Sequence, residues 1–199
     1  MSDQAPTHKC REGGFSLAEL LIYMGLLVLV LFVAGGLLIN GLRTQETTRV
    51  VTGAATTAQQ IARSVQAGVR NASAVTVVSD AAAGTQLLMV RTIGTEPTST
   101  AASCQAWYYT PLNGGAVYTK RTSSPASVIT VPAAGPQGVW SLLGTGISPA
   151  DPVTARVFNA PSGSRVDLKF NVAAGSHPYV LINTTTYTPQ VSMVSSPCF

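Results

Sequence analysis

The stretch Leu20–Ile39, LLIYMGLLVLVLFVAGGLLI, contains no charged side chain in its twenty residues. As an α-helix that rises about 1.5 Å per residue, it is about 30 Å long and matches the hydrocarbon core of a bilayer. A secretory signal peptide has a shorter apolar region that is followed by a small-residue cleavage site. The stretch therefore predicts a membrane-spanning helix near the N-terminus.

A polar segment, MSDQAPTHKCREGG, precedes the span and is joined to it by FSLAE at positions 15–19. This arrangement resembles the class III signal of type IV pilins and type II secretion pseudopilins. In that family a cytoplasmic leader ends in Gly, an aromatic residue becomes the N-methylated terminus, and a Glu is the fifth residue of the mature chain. The resemblance implies that a prepilin peptidase cuts between Gly14 and Phe15 and that Phe15 carries the methylated amine. This resemblance is close over about residues 14–39, and beyond them it is limited to the overall architecture.

Glu19 lies where the predicted helix enters the lipid. A carboxylate in that position costs about 2.5–3.5 kcal/mol on insertion scales, so it needs a partner. Phe15 and Glu19 lie one helical turn apart on the same face, so Glu19 can pair with the amine of its own Phe15 or of a neighbouring subunit. The family resemblance favours the pair between subunits, which gives Glu19 a role in assembly. Taken alone, Glu19 also fits an interfacial anionic residue that is stabilised by the helix dipole.

The helix is predicted to continue beyond the membrane, because residues 42–72 contain no Pro and their apolar residues recur at spacings of three and four. This amphipathic stripe consists of Val50, Val51, Ala54, Ala58, Ile61, Ala62, Val65 and Val69. One long helix from about Phe15 to Asn71 is therefore expected, as in pilin subunits. Many major pilins have a Pro in the apolar half. This chain instead has Gly35 and Gly36, which mark either a weak point of the helix or a site of close helix packing.

After Asn71 the hydrophobic period changes, and short β-branched and aromatic runs alternate with Gly, Pro, Ser and Asn. The predicted strands of this largely antiparallel sheet are Ala74–Val78, Gln86–Thr92, Ala106–Thr110, Ala116–Arg121, Ser127–Val131, Gly138–Leu142, Val153–Phe158, Arg165–Val172, Tyr179–Asn183 and Gln190–Val194. PLNGG at 111–115 is the clearest hairpin turn and joins WYYT to VYTKR. The hairpin resembles that of J-type minor pseudopilins and W-type minor pilins in its residues Tyr108, Tyr109, Tyr118, Lys120 and Arg121.

The chain has three cysteines, Cys10, Cys104 and Cys198. Removal of the leader would leave the last two, and their spacing permits a disulfide in an oxidising compartment. We therefore predict a Cys104–Cys198 disulfide, with two buried free thiols as the alternative.

The basic residues that flank the span do not settle its orientation, since Lys9 and Arg11 precede it and Arg43 and Arg49 follow it. The predicted disulfide and the cytoplasmic cleavage of the family both place the C-terminal domain outside the cytoplasm. The chain is therefore expected to be a single-pass inner-membrane protein that enters a pilus or pseudopilus on assembly.

The sequence contains no pattern that is typical of catalysis or cofactor binding. Only 10% of its residues are charged, and the six acids after the leader are too dispersed for a recognisable calcium loop. It has no GxSxG elbow, no phosphate-binding Gly-rich loop and no metal-spaced set of Cys and His. A nucleophile pair of Cys104 and His177 is the enzyme alternative, although the disulfide competes for Cys104. We predict no enzymatic activity, no catalytic residue, no metal site and no cofactor.

Nucleic acid is an alternative partner, because Trp107, Tyr108, Tyr109 and Tyr118 lie near Lys120–Arg121, and aromatic and basic side chains together bind single-stranded DNA. The formal charge of +4, however, comes from scattered residues and not from a basic run. Alternation along a strand also places Trp107 and Tyr109 on one side and Tyr108 on the other, so half of these rings are predicted to be core.

Together these features predict an α+β fold in which a long N-terminal helix, half in the membrane and half amphipathic, packs on a largely antiparallel β-sheet. The expected parts are a leader at 1–14, a transmembrane and assembly helix at 15–40, the amphipathic half at 41–72 and an extracytoplasmic β-rich domain at 73–199. The expected function is that of a minor pilin or pseudopilin in a type II secretion pseudopilus or type IV pilus. The expected partners are other subunits, prepilin peptidase, the inner-membrane assembly platform and membrane lipid. The alternatives are a DNA-uptake pilus component and a signal-anchored extracytoplasmic enzyme or binding domain.

Overall fold

The computed structural model describes residues 16–93, 102–122, 127–132, 135–189 and 198–199. These residues form one α-helix, α1 (Leu17–Arg70), followed by nine β-strands. The chain divides into two compact units between Glu46 and Thr47, and this boundary falls within α1. The predicted α+β fold, with a long N-terminal helix packed on a mostly antiparallel β-sheet domain, is confirmed.

The extent of α1 is close to the predicted one, which runs from about Phe15 to Asn71. In the first unit the helix passes through Gly35 and Gly36 without a break. In the second unit its buried apolar residues are Ala54, Ala58, Ile61, Ala62, Val65 and Val69. Val50 packs against the core but is only partly buried, and Val51 is exposed, so the fully buried part of the predicted stripe begins at Ala54.

The first sheet has five strands, which lie in the order in which they follow one another along the chain. They are β1 (Ala72–Asp80), β2 (Thr85–Ile93), β3 (Ala102–Thr110), β4 (Ala116–Thr122) and β5 (Ser141–Thr145), and each neighbouring pair is antiparallel. The predicted hairpin turn lies between β3 and β4. Asn113, Gly114 and Gly115 have φ angles of 54°, 82° and 86° there, a region that Asn and Gly adopt at little cost.

The second sheet is built around β8 (Arg165–Ala174), which pairs antiparallel with β6 (Ile147–Pro149), β7 (Phe158–Ser162) and β9 (His177–Tyr187). β6 pairs with the C-terminal half of β8, β7 with its N-terminal half, and β9 along nearly its whole length. Side chains alternate between the two faces of a strand, and the buried ones of β8 are Val166, Leu168, Phe170, Val172 and Ala174.

The main core lies between the second half of α1 and the inner faces of both sheets. Trp107, in the middle of β3, is fully buried, and its indole N–H donates a hydrogen bond to Oγ of Ser64 at 2.9 Å. A Cβ atom on Gly68 would overlap the Trp107 ring, so the close approach of α1 to β3 requires glycine at this position. Phe158 and Phe170 bring the second sheet into the same core.

A second, smaller core covers the outer face of the first sheet. It consists of Leu87, Met89, Cys104, Ala106, Tyr108, Ile129 and Cys198. The N–H of Ile129 donates a hydrogen bond to the carbonyl oxygen of Cys198 at 3.1 Å. Because both faces of the sheet are covered, Tyr108 is buried as well as Trp107 and Tyr109, whereas strand alternation alone assigns half of these rings to the core.

Two predicted strands in the connection between β4 and β5 are corrected by the structure. Segment 127–131 forms no strand, because Ile129 is held against the outer core by a hydrogen bond to Cys198 and has no ladder of strand hydrogen bonds. The strand predicted at 138–142 begins at Ser141, since Gly138 has a φ angle of 66°, which lies outside the β region.

The strand predicted at 153–158 is also wrong, because β7 begins only at Phe158. A carboxylate oxygen of Asp151 accepts a hydrogen bond from the N–H of Val153 at 2.9 Å. The backbone carbonyl of Asp151 accepts another from the N–H of Ala155 at 3.0 Å. These residues therefore form a turn. The short strand β6 is not among the predicted strands. The strand predicted at 190–194 lies outside the described residues.

Gln86, a buried residue of β2, fastens this turn to the first sheet. Its Oε1 accepts hydrogen bonds from the N–H groups of Val157 and Phe158, both at 2.9 Å, and its Nε2 donates one to the carbonyl of Ala155 at 2.8 Å. The amide of Gln86 therefore satisfies three backbone groups of residues 155–158, where the turn leads into β7.

Candidate functional site

The first turn of α1 carries Glu19, the residue to which the sequence assigns a role in assembly. Ser16 precedes the helix, and its Oγ accepts a hydrogen bond from the backbone N–H of Glu19 at 3.2 Å. The Ser16 carbonyl accepts two more, from the N–H groups of Glu19 and Leu20 at 3.0 and 3.2 Å. Ser16 therefore caps the helix, and Glu19 lies in the first turn, where the positive end of the helix dipole favours a carboxylate.

Tyr23 is a partner of Glu19 that the sequence analysis missed. Its hydroxyl donates a hydrogen bond to Oε1 of Glu19 at 3.2 Å, across one helical turn. The spacing of four residues is the signal that could have identified it. The carboxylate of Glu19 thus has a hydrogen-bond donor within its own chain.

The span that follows presents a continuous apolar surface. Within the described ranges α1 is the one helix long and apolar enough to cross a membrane, and none of its most apolar window is buried. Phe32, for example, is 79% exposed. Glu19 is the single charged residue between Phe15 and Arg43. Such a surface requires lipid or other helices to cover it, so α1 is a candidate membrane anchor.

The predicted processing positions, Gly14 and Phe15, lie outside the described residues, together with the rest of the predicted leader. The described part of the chain starts at Ser16, and α1 starts one residue later. The pairing of Glu19 with the Phe15 amine therefore stays a prediction.

Cys104 on β3 and Cys198 form a disulfide, which is the pairing that the sequence predicts. Their Cα atoms are 5.5 Å apart, and both side chains are fully buried in the outer core. The disulfide attaches Cys198 to β3, the middle strand of the first sheet. The carbonyl oxygen of Cys198 in turn accepts the hydrogen bond from the N–H of Ile129. The role of the disulfide in this arrangement is to keep the outer face of the sheet covered.

The structure separates the residues of the enzyme alternative. His177 begins β9 of the second sheet, whereas Cys104 belongs to the first sheet and has its sulfur in the disulfide, so it cannot form a thiolate. Across the residues that the structure describes, no group of three or more His, Cys, Asp or Glu side chains is placed to hold a metal ion.

The three aromatic rings of β3, Trp107, Tyr108 and Tyr109, are buried and therefore not available for stacking on a ligand. Burial raises the pKa of the Tyr109 phenol above its ordinary value, as expected for a ring inside the core. On β4, the ammonium of Lys120 lies 5.8 Å from the centre of the Trp140 ring. Arg121 donates a hydrogen bond to Oε1 of Gln105 at 2.9 Å. These side chains are engaged within the domain, and Tyr118 and Trp140 are partly exposed rings beside them.

Comparison with known proteins identifies no relative: no protein-family model, no curated protein and no solved structure matches this chain. The interpretation of the N-terminal segment therefore depends on its own residues, which are the apolar span, Glu19 at its start and the capped first turn.

Proposed function

We propose that this chain is a minor subunit of a type II secretion pseudopilus or a type IV pilus. In this proposal the precursor is inserted in the inner membrane, a prepilin peptidase cuts it between Gly14 and Phe15, and the assembly platform transfers the mature chain into a filament. The observation that carries the proposal is the single carboxylate, Glu19, at the lipid end of an otherwise uncharged span, four residues after the predicted new terminus.

In this proposal, cleavage between Gly14 and Phe15 creates the charged partner of Glu19. In the precursor, the nitrogen of Phe15 is part of a peptide bond and carries no charge. Cleavage converts it to an amine whose ordinary pKa, about 8, leaves it protonated at neutral pH. A cation is thereby created about one helical turn from the Glu19 carboxylate, where the low dielectric strengthens their attraction.

Pairing between neighbouring subunits would set the register of the filament. The exposed apolar surface of α1 supports this proposal, because helices that leave lipid must bury such a surface against one another. Tyr23 contributes as well, since its hydroxyl donates a hydrogen bond to Oε1 of Glu19 and holds the carboxylate in place for the amine. The β-rich domain then presents the contact surface for other subunits or for cargo.

The proposal is tested by expressing the full chain with and without a prepilin peptidase, and by determining the N-terminal residue of the product by mass spectrometry. We expect a methylated Phe15 terminus with the peptidase and the intact precursor without it. A chain that still begins at Met1 beside an active peptidase would identify the first forty residues as a simple tether.

Assembly is tested with Glu19→Gln, compared with Glu46→Gln, which removes an exposed carboxylate of the same helix outside the span. We expect Glu19→Gln to be cleaved normally and to enter filaments at least about tenfold less, because the Phe15 amine is left without its partner. Glu46→Gln is expected to enter filaments like the wild type. Equal incorporation of both variants would contradict the proposal.

A further inference from the structure

A polar cleft lies on the solvent side of the second sheet, within the second unit. The buried residues of β8 alternate with Arg165, Asp167 and Lys169, which point away from the core. These three side chains form the floor of a cavity of about 330 Å³, and the turn that contains Asp151 and Arg156 forms its wall. This volume falls at the lower end of the range of about 300–1,000 Å³ that is typical of ligand sites.

The cleft concentrates charge on a domain that has little of it. Residues 47–199 contain nine basic and four acidic residues. Three of the basic and two of the acidic ones line this one cavity: Arg156, Arg165, Lys169, Asp151 and Asp167. Their clustering is therefore a property of the site and not of the surface as a whole.

Both carboxylates of the cleft are held in place and stay ionised. For Asp151, hydrogen bonds from the N–H of Val153 and the hydroxyl of Thr154 lower the pKa of the carboxyl. For Asp167, partial burial raises the pKa, but this effect is outweighed by hydrogen bonds from Nε of Arg165 at 2.8 Å and from Thr185 at 2.7 Å. Both of those bonds reach Oδ1, so Oδ2 of Asp167 remains an acceptor for a ligand.

The cations of the cleft keep unused donors. Lys169 makes no hydrogen bond or ion pair with any residue in the described part of the chain, and it acts on Asp151 only through its charge. Arg156 uses Nη1 to bond Asn159 at 3.3 Å, and Arg165 uses Nε, so each guanidinium has further N–H groups. The amide of Asn183 also faces the cavity.

A ligand for this lining must both donate and accept hydrogen bonds, and it must carry negative charge to match the excess of one cation. Sugar hydroxyls donate to carboxylates and accept from ammonium and guanidinium groups at several points around the ring, whereas an acidic peptide side chain offers acceptors alone and HPO4²⁻ has a single O–H donor. We propose that this cleft binds an acidic saccharide, with the sugar carboxylate on Lys169 and the guanidinium groups and the hydroxyls on Asp167, Asn159 and Asn183. On β9, Tyr187 lies opposite Arg165 of β8. Its side chain is 63% exposed and lies beside the cleft.

This site lies wholly in the second unit, so it stands or falls independently of the proposed assembly role. The test uses the full chain in lipid nanodiscs and follows the binding of trigalacturonate, neutral galactotriose, inorganic phosphate and a hexaglutamate peptide by calorimetry. Lys169→Gln removes a cation of the cleft. Lys120→Gln removes one from the first sheet and serves as the matched control.

We expect trigalacturonate to bind most tightly, with a loss of about tenfold or more in Lys169→Gln, as for removal of a charge-assisted hydrogen bond. Lys120→Gln is expected to bind like the wild type. An equal loss in both variants would mean unspecific attraction and overturn the site. Phosphate or hexaglutamate binding as tight as that of trigalacturonate would overturn the saccharide class, and so would no binding of trigalacturonate at millimolar concentration. Unchanged unfolding temperatures of both variants establish that they are folded.

Discussion

The indole N–H of Trp107 donates a hydrogen bond to Oγ of Ser64 at 2.9 Å, which joins the middle strand of the first sheet to α1 inside the core. Ser64→Ala removes the acceptor and leaves a buried N–H group without a partner. We expect the free energy of unfolding of the second unit to fall by about 1–3 kcal/mol. The measurement is denaturant unfolding of the full chain in detergent, followed by Trp fluorescence. Thr52→Ala, at an exposed position of the same helix, is expected to leave the stability unchanged or slightly raised.

Gly68 and Gly53 make a matched pair on α1, since both are helical but only Gly68 faces a neighbour. Gly68→Ala gains helix propensity but pushes a methyl group into the Trp107 ring, and we expect a net destabilisation of about 1–3 kcal/mol. Gly53→Ala meets no atom within 4 Å and is expected to stabilise the helix by up to about 1 kcal/mol. Changes of the same sign in both variants, measured as unfolding temperatures, would contradict the packing described for Trp107.

Loss of the Cys104–Cys198 disulfide should uncover the outer core. The two cysteines are 94 residues apart, and on the chain-entropy model a loop of that length contributes about 4–5 kcal/mol. We expect the Cys104→Ser/Cys198→Ser variant to unfold at a lower temperature and to bind a dye that reports exposed apolar surface, because Leu87 and Tyr108 lose part of their cover. Alkylation of the native chain under non-reducing conditions provides the check, and modification of both thiols would show that the bridge is not formed in the protein.

Tyr23→Phe tests the partner of Glu19 without altering the apolar ring, and its expected outcome depends on the proposed role in assembly. We expect normal cleavage after Gly14 and a threefold to tenfold loss of filament incorporation, about the effect of one hydrogen bond. Tyr179→Phe, on exposed β9, is the control and should assemble like the wild type. Incorporation of Tyr23→Phe at the wild-type level would remove Tyr23 from the mechanism.

The pKa of Asp167 is lowered in the folded chain, so this carboxylate stabilises the fold above its unfolded pKa of about 3.9. As the pH falls through the lower folded pKa, protonation removes that contribution. Because the Arg165 partner is exposed to solvent, which screens the ion pair, the effect is small. We therefore expect Asp167→Asn to unfold at a slightly lower temperature than the wild type at pH 6 and at nearly the same temperature at pH 2. A constant difference at both pH values would argue against this linkage.

The long helix and the hairpin at 111–115 could be predicted because local signals specify them: an uncharged span, a stripe at helical spacing, and Asn-Gly-Gly at positions with positive φ. The sequence does not distinguish a strand at 127–131 from a segment that covers the outer face of the sheet, because an apolar Ile129 fits either arrangement. The sequence predicts a strand at 153–158 because Val153 and Val157 favour β structure, whereas the Asp151 side chain favours a turn. Of the candidate sites, Glu19 stands out by its place in the sequence, and its role in assembly stays a prediction. The cleft does not stand out, because alternation along β8 and a distant turn bring its residues together.

The three hydrogen bonds of Gln86 have a consequence for how the cleft responds to a ligand. The segment just before β7 is held by an amide of the first sheet, so the wall of the cleft is pre-organised and little conformational entropy is lost when a ligand binds. Movement of that wall must break a bond to Gln86 or carry β2 along with it. A ligand bound in the cleft of the second sheet is therefore mechanically coupled, through the bonds of Gln86, to β2. This strand belongs to the first sheet and packs against α1.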